Sequence, residues 1–412
     1  MSNENTTFPI IRYIVESKSD LNIADDHDNG NLHKATCNEN INLEIIEYLI
    51  AKKSIIDCKN ISLCTPLHLA LSNEGINIDI VKTLLENKSD VNLLNLEKKN
   101  PLHLFCSNPS LSVEIAQYLI ENNCNLNQKD SSGDTPFHLA CKNKNISFEI
   151  IKIFVEKKTD LNSRNENLNT PLHNLSSNHK ISLEMVKYLV ENNSDPKLIN
   201  SVDFTPLHIA SSNRNINFPV IDFLVESKCD ISTNKKITPI EIACNNKEID
   251  TFILKKLIES KCVLNDRLKG SLLCNVCSSK KPKIETIKFL FQEKVDPNFI
   301  YKHKKSALHF ACFNPDISLD IVRFLVENKA LVNSKDENTM TPLHLSTKNK
   351  LVSNEILYYL VDNKSELNLL DANGFTPFTY SCKRNDIHLM KYFLEKKSNI
   401  YNKVTVINGK KK

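Results

Sequence analysis

Histidine recurs along this chain at a nearly constant spacing, and histidine is a common metal ligand and general base. The members of this column are, in chain order, His33, His68, His103, His138, His173, His208, Glu241, Cys274, His309, His344 and Thr379. Successive members are 35 residues apart, except for two steps of 33 residues on either side of Glu241. Metal sites and acid–base pairs need their groups within a few ångströms of one another. Because a whole repeat separates these histidines, the spacing indicates a structural column, not a metal site or a catalytic array.

Cysteine forms a second column, three residues after the first. Its members are Cys106, Cys141, Cys244, Cys277, Cys312 and Cys382. Cys274 and Cys277 also make a CxxC pair, the spacing of a redox pair or of half a zinc site. No second CxxC and no paired histidine lies nearby to complete four ligands. Free cysteine behaves as a small hydrophobe, so we interpret the column as buried helix residues in a reducing compartment, and we expect no metal and no cofactor.

Catalytic groups of other kinds find little support in the sequence. The six glycines are too far apart to form a loop that cradles phosphate. Acidic residues such as Glu149 and Glu156 recur once per repeat, which is typical of solvated helix faces. We therefore predict that the chain is not an enzyme.

The segment 134–158 indicates how each repeat folds. Thr135 can accept a hydrogen bond from an orphan amide of a first, short helix, and Pro136 fits the first helical position because its missing N–H costs nothing there. A polar stretch follows, and Ser147 then caps a second helix whose apolar residues recur at helical spacing. The pattern predicts a pair of helices in every repeat.

The motif Thr65-Pro66-Leu67-His68 returns at 170–173, 205–208 and 341–344, and near-copies stand at 100–103, 135–138 and 306–309. Together with a second helix that ends as in 223–230, this pattern closely resembles the ankyrin repeat, from about Phe8 to about Asn402. The resemblance implies an all-α solenoid of stacked helix-turn-helix units joined by β-turn fingers. It also implies that the column histidine bonds the turn backbone and that the array binds other proteins.

The sequence departs from the usual ankyrin pattern in its length and in its glycines. Most repeats have 35 residues, and we expect the two additional residues to make the turn around 143–145 protrude slightly. The glycine that the family places after the second helix is absent. Its column reads Lys18, Lys53, Lys88, Asn123, Lys158, Asn193, Lys228, Lys261, Lys294, Lys329, Lys364 and Lys397. A lysine in the left-handed conformation costs roughly 1 kcal/mol relative to glycine, so we expect a less stable array.

The repeats predict one array over residues 1–402, with eleven full units after an N-terminal half unit, and a short polar and basic tail over 403–412. The half unit around 6–16 matches a second helix without its first, so we expect either a start further upstream or an end that docks on another surface. Net charge is +4, and no apolar run is long enough to cross a membrane. We expect a cytoplasmic protein, or alternatively a nuclear one.

The pattern decays between 238 and 305. The motif becomes Thr238-Pro239-Ile240-Glu241, and at 271–274 Thr, Pro and His are lost together. Basic residues accumulate in the same region, and we expect them at finger tips that align in one positive stripe. They are Lys235, Lys236, Arg267, Lys269, Lys302, Lys304 and Lys305. The finger at 25–28 is acidic by contrast.

Aromatic residues at an exposed finger would make good interface anchors. Phe299 and Tyr301 stand in the basic finger, and Phe204 and Phe375, each just before a Thr-Pro, are weaker candidates. In the opposite interpretation Phe299 packs inward and the lysines only keep the protein in solution. We predict a non-enzymatic scaffold or adaptor that binds partner proteins, among them proteins with acidic surfaces, through its fingers and inner helix face, with no small-molecule substrate. The alternatives are a subunit that positions or inhibits one enzyme, or a surface for nucleic acid or anionic lipid along the stripe at 235–305.

Overall fold

A computed structural model describes residues 24–38, 42–227, 237–245, 251–260, 266–280 and 282–396. The chain divides into two compact units, Met1–Asp230 and Ile231–Lys412, here called unit 1 and unit 2. The described residues contain 22 α-helices and no strand. This confirms the all-α class that the repeat pattern predicts. The half unit predicted around 6–16 lies outside the described residues.

Unit 1 alternates short and longer helices, one pair per repeat. The first helices are α1 (Asn31–Cys37), α3 (Pro66–Ser72), α5 (Pro101–Ser107), α7 (Pro136–Lys142), α9 (Pro171–Ser177) and α11 (Pro206–Ser212). The second helices are α2 (Leu43–Ala51), α4 (Ile78–Glu86), α6 (Val113–Glu121), α8 (Phe148–Glu156), α10 (Leu183–Glu191) and α12 (Phe218–Glu226). Within unit 1, neighbouring first helices pack on one another, and so do neighbouring second helices.

Unit 2 continues the alternation with one irregular member. Its first helices are α13 (Pro239–Asn245), α15 (Asp266–Ser278), α17 (Ala307–Phe313), α19 (Pro342–Lys348) and α21 (Pro377–Arg384). Its second helices are α14 (Thr251–Glu259), α16 (Ile284–Gln292), α18 (Leu319–Glu327), α20 (Asn354–Asp362) and α22 (Ile387–Glu395). With 13 residues, α15 is nearly twice as long as the other first helices, and a 3₁₀ turn at Lys302–Lys304 precedes α17.

Both helices of a repeat start at the caps that the sequence predicts. The His138 backbone N–H donates to Thr135 Oγ1 at 3.4 Å, and the Thr135 N–H donates to His138 Nδ1 at 3.1 Å. Pro136 occupies the first helical position of α7. The Ile150 N–H donates to Ser147 Oγ at 3.3 Å at the start of α8. These bonds satisfy amide groups that the helix itself leaves without partners.

The turn between the two helices is tied to the preceding repeat. Asn143, at the end of α7, donates from Nδ2 to the carbonyls of Cys106 at 2.9 Å and Asn108 at 2.7 Å. Its Oδ1 accepts from the Asn145 N–H at 2.8 Å and so shapes the turn. Lys144 is exposed at the tip. The same pair of carbonyl bonds is made by Asn73, Asn108, Asn178, Asn213 and Asn314. The two additional residues of the repeat therefore form an anchored turn.

The position after each second helix, where the family usually has glycine, adopts the left-handed conformation, as predicted. The described members have φ between 56° and 73° and are Lys53, Lys88, Asn123, Lys158, Asn193, Lys294, Lys329 and Lys364. Each ends its helix without a glycine, which carries a conformational cost in every repeat. Four members of the predicted column, Lys18, Lys228, Lys261 and Lys397, lie outside the described residues.

Most of the cysteine column is buried, as predicted. Cys106, Cys141, Cys277 and Cys312 are fully buried in first helices, and the side chain of Cys244 is outside the described part of the chain. The prediction is wrong for Cys382, which is exposed on α21. In the described residues, α21 packs on α19 and α22 and carries no further first helix. The side that buries cysteine in the earlier repeats is therefore uncovered at this position.

Candidate functional site

The fingers, which join each second helix to the next first helix, are linked by backbone hydrogen bonds. In unit 1 the bonds are 2.8–3.1 Å long, and each joins the backbone N–H of one finger to a carbonyl of the finger before it. The donor and acceptor pairs are Ile61 and His27, Leu96 and Ser62, Ser131 and Glu97, Glu166 and Ser132, and Ser201 and Asn167. In unit 2 they run from Glu337 to His303 and from Ala372 to Asn338, both at 3.0 Å. We call this series the finger ladder. It holds the finger backbone in a fixed row and leaves many tip side chains exposed.

The column histidines tie the first helices to this row. His103 Nε2 donates to the Asp134 carbonyl at 3.1 Å, while its Nδ1 accepts from the Asn100 N–H at 3.1 Å. The matching carbonyl bonds are made by His33, His68, His138, His173, His309 and His344. Burial lowers the pKa of these imidazoles, to about 4 for His68 and for His173. One nitrogen donates and the other accepts, so these are neutral structural groups, as the spacing predicts.

The finger ahead of α15 differs from the prediction. Arg267 and Lys269 were expected at a finger tip, but they lie in the first turn of α15 (Asp266–Ser278). No Thr-Pro pair stands at 271–272 to start a helix there, so the helix begins about one and a half turns earlier. Arg267 is exposed and Lys269 is half-buried. Lys235 and Lys236 lie outside the described residues. The prediction that Arg267 and Lys269 belong to a stripe of finger tips is therefore wrong.

The prediction that Phe299 is an exposed anchor is also wrong. Phe299 is half-buried, and its ring lies against Gly270 of α15, where an added Cβ would stand 2.0 Å from Phe299 Cγ. Only glycine leaves room for a ring at that distance. Phe299 thus packs inward and is not an exposed anchor, as the opposite interpretation of the sequence held. The neighbouring Ile300 remains 53 % exposed.

The basic finger closes around a tight turn. The Tyr301 N–H donates to the Lys305 carbonyl at 2.8 Å, and Lys302 and Lys304 are exposed between them. Tyr301 is half-buried, with its ring 6.2 Å from that of Phe310 on α17. His303 Nδ1 lies 2.7 Å from a carboxylate oxygen of Glu337 in the next finger. Lys302 and Lys304 therefore stand exposed on a tight turn whose backbone is bonded to the next finger through the His303 carbonyl.

Lysines lie over aromatic rings across the next two repeats. Lys305 Nζ is 5.7 Å from the centre of the Phe313 ring, and Lys348 Nζ is 5.8 Å from the Tyr380 ring. Lys383 Nζ is 3.5 Å from the centre of the Phe375 ring. Lysine ammonium groups are attracted to ring faces at these distances. We call this the lysine–aromatic surface, and define it as Tyr301, Lys302, Lys305, Phe310, Phe313, Lys348, Phe375, Tyr380 and Lys383.

Lys348 and Lys383 were not among the candidates from the sequence. Phe313, Lys348 and Lys383 occupy the same position, four residues after the column of His309, His344 and Thr379. That position faces the fingers from the first helices, and the periodicity alone could have selected it. Lys348 and Lys383 lie in first helices, whereas the candidates from the sequence were sought in the fingers.

Phe204 and Phe375 are less exposed than a finger anchor would be. Phe204 is half-buried and stacks on His208, with ring centres 5.2 Å apart and an angle of 4° between the planes. Phe375 is half-buried against Met340, Leu345 and Tyr380. Phe204 therefore supports the structure of its own repeat, whereas Phe375 contributes a ring to the lysine–aromatic surface.

The described residues offer no other chemistry of the kinds considered from the sequence. Burial raises the pKa of Cys274 to about 12 and that of Cys277 well above its ordinary value, so both thiols are protonated at neutral pH. Within the described ranges, His, Cys, Asp and Glu form no group of three or more that could hold a metal ion. No helix in the described part of the chain combines the length and the apolar character needed to cross a bilayer.

Comparison with known proteins supports the repeat assignment. The family model described as Ankyrin repeats (3 copies) matches residues 1–95, 67–165, 147–235, 172–267 and 273–368. The comparison with curated proteins finds no match. Ankyrin repeats are in general protein–protein interaction modules, and the family is typically non-enzymatic. Since these matches extend over nearly the whole length and agree with the paired helices and capped turns, the chain belongs to the ankyrin repeat family.

Proposed function

We propose that this protein is a non-enzymatic scaffold or adaptor that binds partner proteins through its fingers and the inner face of its first helices. The finger ladder carries the proposal. Its bonds fix the backbone of neighbouring fingers, so the exposed tip side chains lose little further freedom when a partner binds. A flexible loop would lose much more conformational entropy on binding.

The basic finger 301–305 is the proposed centre of partner binding. Lys302 and Lys304 are exposed, and the turn that presents them is closed by the bond between Tyr301 and Lys305. Exposed charges on a fixed backbone steer association and select an oppositely charged partner. Of the candidates from the sequence, Tyr301, Lys302, Lys304, Lys305 and Phe375 remain in this proposal.

A capture experiment tests the proposal. The full chain and a variant with Lys302→Glu, Lys304→Glu and Lys305→Glu are each used to capture proteins from a lysate of the source cells. A matched control reverses Lys59, Lys98 and Lys129, three exposed lysines in or beside the fingers of unit 1. We expect the partner to be retained by the wild type and the control and lost by the finger variant.

Two outcomes count against the proposal. If the wild type and both variants capture the same proteins in equal amounts, the basic finger is not the site. If the wild type captures no protein above background, the scaffold function itself is contradicted. Circular dichroism of all three proteins verifies that the substitutions leave the helices intact.

The cytoplasmic location and the limits of the array remain part of the proposal. The ten cysteines whose side chains the structure describes are free thiols, which accords with a reducing compartment. We retain 1–402 as one array and 403–412 as a tail. Limited proteolysis with mass spectrometry tests these limits, because cleavage should concentrate in the tail and spare the repeats.

A further inference from the structure

The lysine–aromatic surface lies on three successive repeats of unit 2. Its rings include two contacting pairs: the ring centres of Phe375 and Tyr380 are 5.8 Å apart at 85°, and those of Tyr301 and Phe310 are 6.2 Å apart. Phe313 is 48 % exposed at its centre. Helices of neighbouring repeats are roughly 10 Å apart, so the surface spans about 20 Å. An extended peptide of about six residues covers that length.

Positive charge dominates this surface. The first helices α17, α19 and α21 contain no acidic residue. In the adjoining finger, the exposed carboxylate of Glu337 lies 2.7 Å from His303 Nδ1. The carboxylate of Asp371 is buried and accepts from the Tyr380 hydroxyl at 2.6 Å. The lysines therefore have ring faces as their neighbours, and their ammonium groups remain able to bind carboxylates from a partner.

The equivalent positions of unit 1 have a different character. The position of Phe313, Lys348 and Lys383 is occupied there by Cys37, Ser72, Ser107, Lys142, Ser177 and Ser212. The position of Phe310 and Tyr380 is occupied there by Lys34, Leu69, Leu104, Leu139, Asn174 and Ile209. The combination of rings and lysines is thus a property of unit 2 and does not follow from the repeat itself.

The arrangement of the rings favours a peptide over a nucleic acid. Single-stranded nucleic acids stack their bases on open ring faces. Here Lys383 lies directly over the Phe375 ring, and Lys302 Nζ is 5.2 Å from the centre of the Tyr301 ring. The ring contacts also restrict the lysine side chains, which lowers the entropy lost when they bind a carboxylate. Phe313 offers an apolar contact for a hydrophobic side chain of the peptide.

We propose that the lysine–aromatic surface binds an extended acidic peptide segment, with Lys305, Lys348 and Lys383 pairing with its carboxylates and Phe313 contacting an apolar residue between them. This inference rests on the proposed scaffold function and gives the chemical class of the partner.

Fluorescence anisotropy of the full chain tests the inference. The probe is a fluorescein-labelled peptide of about ten residues that alternates glutamate and leucine. Competitors are the matching glutamine–leucine peptide, single-stranded oligo(dT) and vesicles that contain phosphatidylserine. The variant Lys348→Glu with Lys383→Glu should weaken binding by about tenfold or more. The matched control Lys142→Glu, at the same position of unit 1, should change the affinity by less than about twofold.

A further variant tests the apolar contact. Phe313→Ser installs the serine found at most equivalent positions of unit 1, so the fold should be preserved. It should weaken binding by about threefold or more at low and at high salt, whereas the effect of the lysine reversals should shrink as salt increases.

Four outcomes overturn the inference. They are no binding of the glutamate peptide, equal binding of the glutamine peptide, displacement of the peptide by oligo(dT) or by vesicles at comparable affinity, and equal affinity of the lysine variant and the wild type. Each of these can occur while the basic finger still captures a partner protein, so failure of the inference is distinguishable from failure of the proposed function.

Discussion

Unit 1 and unit 2 are built from the same repeat but differ in continuity. In unit 1 the finger ladder runs without a break from His27 to Ser201. In unit 2 it is present from His303 to Ala372, after an irregular repeat in which α15 begins at Asp266. The difference indicates that the threonine, proline and histidine of the motif determine where a finger ends and a first helix begins. Where the threonine, proline and histidine are lost together, the chain continues as helix where a finger would otherwise end.

Specialisation accompanies the loss of regularity. Unit 1 has no aromatic residue at the two first-helix positions equivalent to Phe310 and Phe313, whereas unit 2 presents the lysine–aromatic surface immediately after its irregular repeat. We infer that the regular repeats of unit 1 supply stability and those of unit 2 supply selectivity. Three predictions test the contrast between the units, and a fourth tests the helix ends that both units share.

Acid should loosen unit 1 more than unit 2. Buried column histidines with a lowered pKa are His33, His68, His103, His138 and His173 in unit 1, and His309 and His344 in unit 2. The folded-state pKa lies below the unfolded value of 6.5, so below pH 6.5 the unfolded chain binds more protons. Stability is complete above pH 6.5 and is lost as pH falls towards 4, by at most about 3 kcal/mol for His68.

Hydrogen exchange measured by mass spectrometry between pH 7 and 4.5 tests this prediction, after correction for the intrinsic pH dependence of exchange. Protection should fall further in the helices of unit 1 than in α17–α22. Equal losses in the two units would contradict the assignment of acid sensitivity to the histidine column.

Gly270→Ala should destabilise unit 2 by about 3 kcal/mol, because the new Cβ would overlap the Phe299 ring, with Phe299 Cγ at 2.0 Å. The matched change in unit 1 is Gly30→Ser, where an added Cβ meets Cys58 Sγ only at 3.8 Å, so stability should not decrease. Urea unfolding followed by circular dichroism gives both values. Combining Gly270→Ala with Phe299→Leu should recover part of the loss; no recovery would argue against this packing contact.

Asn143→Ala should cost about 2 kcal/mol, because it leaves the carbonyls of Cys106 and Asn108 without their side-chain donor. The equivalent change in unit 2, Asn349→Ala, should cost about 1 kcal/mol, because Asn349 is less buried and bonds only the Phe313 carbonyl in the preceding repeat. Thermal unfolding of the two variants ranks them. The anchoring role of the turn would be refuted if the loss at Asn349 equalled or exceeded that at Asn143.

Lys158→Gly should stabilise the protein by roughly 1 kcal/mol, because Lys158 has a φ of 56°, which glycine adopts without strain. The neighbouring Lys157 has a φ of −87°, so Lys157→Gly should lower stability by a few tenths of a kcal/mol. Denaturant midpoints distinguish the two. Equal effects of both substitutions would show that strain at the helix end is not the cause.

Much of the fold could be predicted because residues within each repeat determine where its helices begin. Thr135, Pro136 and Ser147 specify helix starts from local chemistry alone, and the structure places them as expected. The left-handed lysines followed from the family's glycine column. The irregular repeat was only half predictable, because the loss of a capping motif shows that a finger is altered but not that α15 extends through it.

The candidate site was less predictable, because it depends on contacts between repeats. Lys348 lies over the ring of Tyr380 in the next repeat, and Lys383 lies over the ring of Phe375 in a finger. No local sequence motif indicates either contact. Phe299 was assigned to an exposed tip because the space offered by Gly270 is visible only in three dimensions. Periodicity identifies the faces of such a protein, and the structure is needed to show which faces are occupied.

The asparagine bridges between neighbouring turns have a consequence for how such a gene can evolve. The donor and its two carbonyl acceptors lie one repeat apart, as in Asn143 with Asn108 and Asn178 with Asn143. Duplication or deletion of whole 35-residue segments therefore keeps every donor opposite an acceptor, whereas an insertion that is not a whole number of repeats leaves a bridge unmatched. Unequal recombination can thus lengthen or shorten this protein in whole repeats while the asparagine bridges stay matched.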